Sequence, residues 1–240
     1  MRIIGISNKG LKKELNEDCY LVDDNVLYDS KCDLSDAKVT FVCDGVSGSN
    51  DGCLASNFVC KEIASSYKEL LSKNKSDITN YINKINNKLV KSYKDSYTTI
   101  AGVIIDENHI TSVNVGDSKV YLLKDKKLDM ISIDDTYYEY LKSINDSSYI
   151  NYKNSHIITA CMGSKSFTKK GVHVSLVDNK FNKGDVLLIC SDGVSDMVGE
   201  EKLEYYLSLQ EALEVKIDKI EKRIAFMGAK DNYTLLIIEF

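Results

Sequence analysis

Four short acidic motifs, spread from one end of the chain to the other, constrain this sequence most. They are LNEDCY with Glu17 and Asp18, VTFVCDGVSG with Asp44 and Gly45, DVLLICSDGVSD with Asp192 and Asp196, and AKDNYTLLIIEF with Asp231 and Asn232. In three of the four, a short apolar run stands directly beside the acid, and such runs read as buried strands. A lone carboxylate at the mouth of a buried strand costs several kcal/mol or has to take up a proton. Converging carboxylates escape that cost by binding divalent cations, and hard cations such as Mg²⁺ and Mn²⁺ prefer oxygen donors. Taken singly, an Asp-Gly pair is only a turn signal, because Gly tolerates positive φ and Asp bonds its own backbone. Turns do not account for the ordered set.

The length, 240 residues, suits one large domain or two small ones. No apolar run approaches the ~20 residues needed to span a bilayer. The N-terminus MRIIGISNKG lacks a long apolar stretch and reads as a first strand. Net charge is −5, with Lys interleaved among Asp and Glu, which argues against a nucleic-acid groove. The seven cysteines are odd in number and form no CxxC pair. They read as reduced thiols in a cytoplasmic protein, Cys43 and Cys190 being small hydrophobes inside strand runs.

Strands are expected over residues 2–7, 18–24 and 38–44. Two helices follow, from about Gly52 to Ser72 and from about Ile78 to Lys94. In the second, Ile78, Ile82, Ile85, Leu89 and Tyr93 recur every three or four residues, with Asp77 as a plausible cap. Strands resume over 98–106 and 109–124, with Glu107 and Asn108 as a hairpin turn between them. A short helix is expected over 135–144 and a loop over 149–155. Strands over 155–163, 171–178 and 185–192 precede a long helix over 200–226 and a final strand over 232–240. Strands and helices in separate groups, without regular alternation, favour an α+β fold with antiparallel sheets. No repeat, linker or internal boundary is visible, so residues 1–240 read as a single domain.

These motifs, in this order, resemble the metal-dependent Ser/Thr protein phosphatases of the PP2C type in their compact bacterial form. The matching segments are NED at Asn16–Asp18, DGVSGSNDGCLAS from Asp44, and TT at Thr98 and Thr99. VGDSKVY from Val115, TACMG from Thr159, SDGVSD from Ser191 and DN at Asp231 complete the set. The resemblance implies a four-layer α-β-β-α sandwich with the metal cluster at one end, between the sheets. It implies that Asp44 bridges two Mn²⁺ or Mg²⁺ ions, with Glu17 and Asp18 beside them. Gly45 would ligate through its carbonyl, and Asp192 and Asp231 would complete the pair of sites. Asp117 and Asp196 match positions holding a third, weaker metal, and Asn232 would orient Asp231. A water activated by the cations would attack the phosphorus of phosphoserine or phosphothreonine in a protein. The implied setting is a monomer opposite a bacterial Ser/Thr kinase. Two rivals stay open: a catalytically silent domain of the same fold that binds phosphoproteins, and a two-metal hydrolase of small phosphate esters.

Two departures from the family pattern stand out. Lys13 occupies the place of an Arg whose fork grips the substrate phosphate, so charge is kept and bidentate geometry lost. Val46 stands where animal members place a His, and His109, His156 and His173 all read as structural residues in or beside strands. The segment 134–155 matches the family's flap. Its tyrosines, Tyr137, Tyr138, Tyr140, Tyr149 and Tyr152, suit either a partner contact or packing of the flap itself.

Overall fold

The computed structural model describes residues 1–106, 109–152, 156–165, 171–178 and 181–240. Its central strands are buried on both faces, which is why their apolar runs are continuous instead of alternating. The strand β11 (Val186–Cys190) illustrates this, being buried at every position. Val186, Leu188 and Cys190 pack with one apolar cluster, while Leu187 and Ile189 pack with another. The strand β12 (Tyr233–Glu239) divides in the same way, Leu235 and Ile237 to one side and Leu236 and Ile238 to the other.

Two six-stranded antiparallel sheets result. The first runs β4 (Lys31–Ser35), β1 (Arg2–Asn8), β12, β11, β8 (Lys119–Lys124), β9 (Lys127–Met130). The second runs β10 (His173–Asp178), β7 (His109–Val115), β6 (Ile100–Ile105), β5 (Val39–Cys43), β2 (Cys19–Val22), β3 (Asn25–Leu27). Ile3, Tyr20, Val42, Val103, Leu187 and Ile238 belong to the apolar layer between the sheets. The helices α1 (Gly52–Ala64) and α3 (Lys75–Ser92) cover the second sheet, burying Val59, Ile63, Ile82 and Ile85 against Leu21 and Phe41. The helices α5 (Asp192–Val198), α6 (Glu200–Leu207) and α7 (Leu213–Phe226) cover the first sheet through Leu203, Ile217, Ile220 and Ile224. The four-layer sandwich expected from the sequence is therefore present, and among the described residues no helix is long and apolar enough to cross a membrane.

Several elements differ from the sequence reading. The stretch 109–124 is two strands in different sheets, broken at Gly116–Ser118, where Gly116 takes φ +97°. Only a residue that tolerates positive φ makes such a corner cheaply. The first long helix ends at Ala64 and is followed by a single turn, α2 (Tyr67–Leu70). The tail helix is two helices, α6 and α7, with residues 208–212 between them. Residues 156–163 form no strand; Ile158 and Met162 make isolated bridges to Thr136 and Thr98. Edge strand β4, mostly polar and exposed, carries no apolar signal and escaped the reading. The cap of α3 is Asn74, whose Oδ1 accepts the Asp77 N–H at 3.0 Å; the Asp77 carboxylate receives Asn74 Nδ2 at 2.8 Å in return. The flap opens with α4 (Tyr137–Ser143) and a 3₁₀ turn over Ser147–Tyr152 where a loop was expected. The proposed turn at Glu107 and Asn108 lies outside the described residues, as do residues 153–155.

Candidate metal centre

The topology delivers the acids to one end of the sandwich. Cys19 and Cys43 are direct cross-strand partners in β2 and β5, so Asp18 and Asp44, one residue beyond each, meet at the strand ends. Asp192 opens α5 immediately after β11, and Asp196 follows four residues later, on the same helix face. Asp231 immediately precedes Asn232 and β12, while Asp117 occupies the corner where the chain crosses from one sheet to the other. Together Asp44, Gly45, Asp117, Asp192, Asp196 and Asp231 line one cavity of about 500 Å³, with Lys13 and His156 at the same cavity. Glu17, Asp18 and Asn232 do not line it. Asp18 is buried, next to Asp44 at the paired strand ends.

The main chain around these acids is held by polar side chains. Thr98 Oγ1 donates to the Asp44 carbonyl at 2.8 Å, and Thr99 Oγ1 accepts the Asp44 N–H at 3.1 Å. Ser191 Oγ donates to Asp18 Oδ2 at 2.9 Å and accepts the Thr234 N–H at 3.0 Å, so this hydroxyl ties the two sheets at the cluster. Asn16 Oδ1 accepts the Asp18 N–H, and its amide donates to Ser7 Oγ and Asp29. The Asn232 side chain is spent on the N-terminal loop: Nδ2 donates to the Lys9 and Leu15 carbonyls, and Oδ1 accepts the Glu17 N–H. Asp231 Oδ1 receives the main-chain N–H of Asn232 at 2.8 Å. Gly45 has no room for a side chain, since a Cβ there would lie 2.6 Å from the Gly52 carbonyl carbon and 2.7 Å from the Glu17 oxygen.

Lys13 Nζ lies 2.7 Å from Asp231 Oδ1 and donates to Ser47 Oγ at 2.7 Å. Ser47 Oγ reaches Glu17 Oε2 at 3.5 Å. Burial works to lower the Lys13 pKa, but the bond to Asp231 and the charges of Glu17 and Asp44 outweigh it, and the net shift is upward. His109 sits exposed beside Asp106. His173 bonds Asp135 at 3.0 Å, whose other oxygen accepts the Gly116 N–H; this pair braces the corner next to Asp117. Both match the structural reading of these histidines. His156 does not. It is largely exposed, belongs to no strand, and places Nδ1 3.1 Å from Asp196 Oδ2 and 3.9 Å from Asp192 Oδ2. Nothing in its sequence neighbourhood signals this position, because the return limb of the flap brings it there. The flap tyrosines pack on each other, Tyr137 edge-on to Tyr152 at 4.8 Å and Tyr138 edge-on to Tyr149 at 5.6 Å.

The cluster fits divalent cations. Asp18 Oδ1 is buried without a hydrogen-bond partner. Burial, only partly offset by the hydrogen bond from Ser191, pushes Asp18 up to about 7. Burial, and then the charges of Asp18, Asp192 and Asp117, push Asp44 well above the carboxylate range. Burial and Asp192 push Asp117 up to about 7 against the pull of Lys119. Oxygen donors that resist ionisation when crowded are what a hard cation neutralises.

A pH dependence follows. A carboxyl whose pKa is higher folded than unfolded binds more protons in the native state, so stability falls as pH rises between the two values. In chelator, the melting temperature should therefore decline from about pH 4 to pH 7, the window set by the ordinary Asp value of 3.8 and the shifted value near 7. The Asp18→Asn variant should show a shallower decline, measured by thermal melts across that range. A chelated protein whose stability rises through the window would contradict this electrostatic picture.

Comparison with known proteins places the chain. A family model described as "Protein phosphatase 2C" matches residues 20–223. The serine/threonine phosphatase stp of Listeria monocytogenes is 27% identical over 216 residues, 84% of each protein. The serine/threonine protein phosphatase PstP of Mycobacterium tuberculosis is 29% identical over 143 residues, 59% of this chain and 27% of that protein. Among solved structures, a bacterial serine phosphatase superposes with TM-score 0.81 at 23% identity, covering 98% of this chain and 96% of the other. The catalytic domain of PstP, solved in complex with two manganese ions, superposes with TM-score 0.77 at 20% identity, covering 100% and 99%. The chain belongs to the protein phosphatase 2C family.

Proposed function

We propose that this protein hydrolyses phosphoserine and phosphothreonine esters in proteins, using two Mn²⁺ or Mg²⁺ ions held at the acidic end of the sandwich. The observation that carries this reading is the convergence of Asp44, Asp117, Asp192, Asp196 and Asp231 on one cavity. Family membership and the named activities of the relatives support it. We read residues 1–240 as one catalytic domain, because β1 and β12, near the two ends of the chain, pair with each other and carry Asp231 to the cluster.

In this reading Asp44, Asp192 and Asp231 would hold the two cations, with Glu17, Asp18 and the Gly45 carbonyl as further donors or supports, and Asp117 and Asp196 would hold a weaker third ion. Bound cations supply an activated water and offset charge on the phosphoryl oxygens. The chain's own residues do the rest. Thr98, Thr99 and Ser191 fix the acids, so little reorganisation is needed when charge builds on the phosphoryl group. Lys13, paired with Asp231, lines the same cavity and would meet a substrate phosphate there. The seven free cysteines fit a cytoplasmic setting and the net charge of −5 argues against a nucleic-acid partner; in this reading the protein acts as a monomer opposite a Ser/Thr kinase.

Release of phosphate from a phosphothreonine peptide should require Mn²⁺ or Mg²⁺ and stop in EDTA. The Asp44→Asn variant should lose most of this turnover while remaining folded. Near-normal turnover in Asp44→Asn at saturating Mn²⁺ would remove Asp44 from the centre. Binding of the phosphopeptide without turnover would favour a silent phosphoprotein-binding domain, and faster turnover of a nucleotide would favour a small-ester hydrolase.

Lys13 gives a separate test. Lys13→Ala should raise KM for the phosphopeptide with a smaller change in kcat, the pattern of lost ground-state binding. A charge-assisted contact contributes about 1.5–3 kcal/mol, so the rise should be about tenfold or more. Lys13→Arg should restore or improve affinity, because a guanidinium pairs two phosphate oxygens at once. Unchanged kinetics in Lys13→Ala would leave phosphate binding to the metals alone.

A further inference from the structure

We propose that His156, Asp196 and Asp192 form a cation site with an imidazole nitrogen ligand, which ties the flap to the core. This adds a nitrogen ligand at the weaker third ion to the all-oxygen centre described above and rests on that reading, since Asp192 and Asp196 belong to both. The geometry is suitable. One donor atom from each residue lies within 4.8 Å of the others, with Nδ1 of His156 at 3.1 Å and 3.9 Å from the two carboxylates. Two donors held about 2.1 Å from one ion, at angles between a right angle and a wide one, stand roughly 3–4 Å apart.

The imidazole is placed by hydrogen bonds on either side of the flap, not by its own packing. Tyr137 N–H donates to the Ile157 carbonyl at 2.8 Å, and Thr159 N–H to the Asp135 carbonyl at 2.6 Å. Thr136 and Ile158 form an isolated bridge between these bonds. The return limb of the flap is thus fastened to its outgoing limb within three residues of His156. Asp196 is fixed independently, on α5. The flap and α5 therefore present nitrogen and oxygen donors at the shared wall of two cavities, which Asp117 also lines. A plain ion pair between imidazolium and Asp196 would explain the shorter distance alone. Asp192, on the same helix face as Asp196, places a second carboxylate oxygen 3.9 Å from the ring nitrogen, so a cation there would find three donors where an ion pair uses two.

The donor set predicts which ions it takes. Two carboxylates and an imidazole suit Mn²⁺ and other first-row divalent ions, whereas Mg²⁺ strongly favours oxygen alone. The His156 site should therefore distinguish these ions where the core pair does not.

The direct test is pulsed electron paramagnetic resonance of the protein with one to three equivalents of Mn²⁺. A coordinated imidazole gives ¹⁴N modulation, and every other donor proposed here is oxygen. The wild type should show this modulation and His156→Ala should lack it. Calorimetry should show the weakest Mn²⁺ event reduced about tenfold or more in His156→Ala, since even groups outside a metal's ligand shell change affinity 10–100-fold. Mg²⁺ binding should be nearly unchanged. Absence of ¹⁴N modulation in the wild type at saturating Mn²⁺, or its persistence in His156→Ala, overturns the proposal. Two tight Mn²⁺ events and phosphopeptide turnover that survive either result would show that the core reading stands and only the flap site has failed.

Discussion

Mutual repulsion among buried carboxylates is the constraint on which the rest of this structure depends. Burial, and then the charges of neighbouring carboxylates, raise the proton affinity of Asp18, Asp44 and Asp117. Such a cluster does not assemble by attraction. It is imposed by strand register: once Cys19 pairs with Cys43, the two residues beyond them have nowhere else to go. The cost is carried by apolar layers away from the cleft, between the sheets and beneath the helices on either face. A scaffold of this size can absorb a destabilised end, and the same destabilisation is what binding of cations relieves.

The hydrogen bonds near the cluster follow from the same constraint. The side chains of Asn16, Thr98, Thr99 and Asn232 bond main-chain atoms around the acids or along the N-terminal loop. Each keeps an acid or its loop in place without competing for the carboxylate oxygens. Ser191 is the exception, giving its proton to Asp18 while Asp18 Oδ1 stays unpartnered. Lys13 is the internal counter-charge on the open side, bound to Asp231 and poised at the cavity. The flap brings the remaining elements, including a histidine that faces two of the acids.

The fold was legible where both faces of an element are buried. The continuous runs VTFVC, VLLIC and YTLLIIE could be read as strands because no charged residue interrupts them. Legibility failed where local signal and tertiary position part company. Strand β4 is an edge with polar residues, and its pairing to β1 supplies the order that its composition lacks. The stretch 109–124 reads as strand on both sides of Gly116, so periodicity could not reveal that the chain changes sheet there. The acids of the site were legible from motif order, including Asp18 and Asp231, which lie outside the span matched by the family model. His156 was not, since its position depends on how the flap folds back across the cleft. Asn232 was legible as a neighbour of Asp231, yet its side chain works on the loop behind Glu17, a contact set by a partner more than two hundred residues away.

The central claim is that this acidic end is a divalent-cation centre, and anomalous diffraction from crystals grown with Mn²⁺ tests it most directly. The account predicts two strong peaks inside the cavity, within ligand distance of Asp44 and with Asp192 and Asp231 completing the pair. Crystals that show no anomalous density in that cavity at millimolar Mn²⁺, or show it only at surface acids elsewhere, would contradict it.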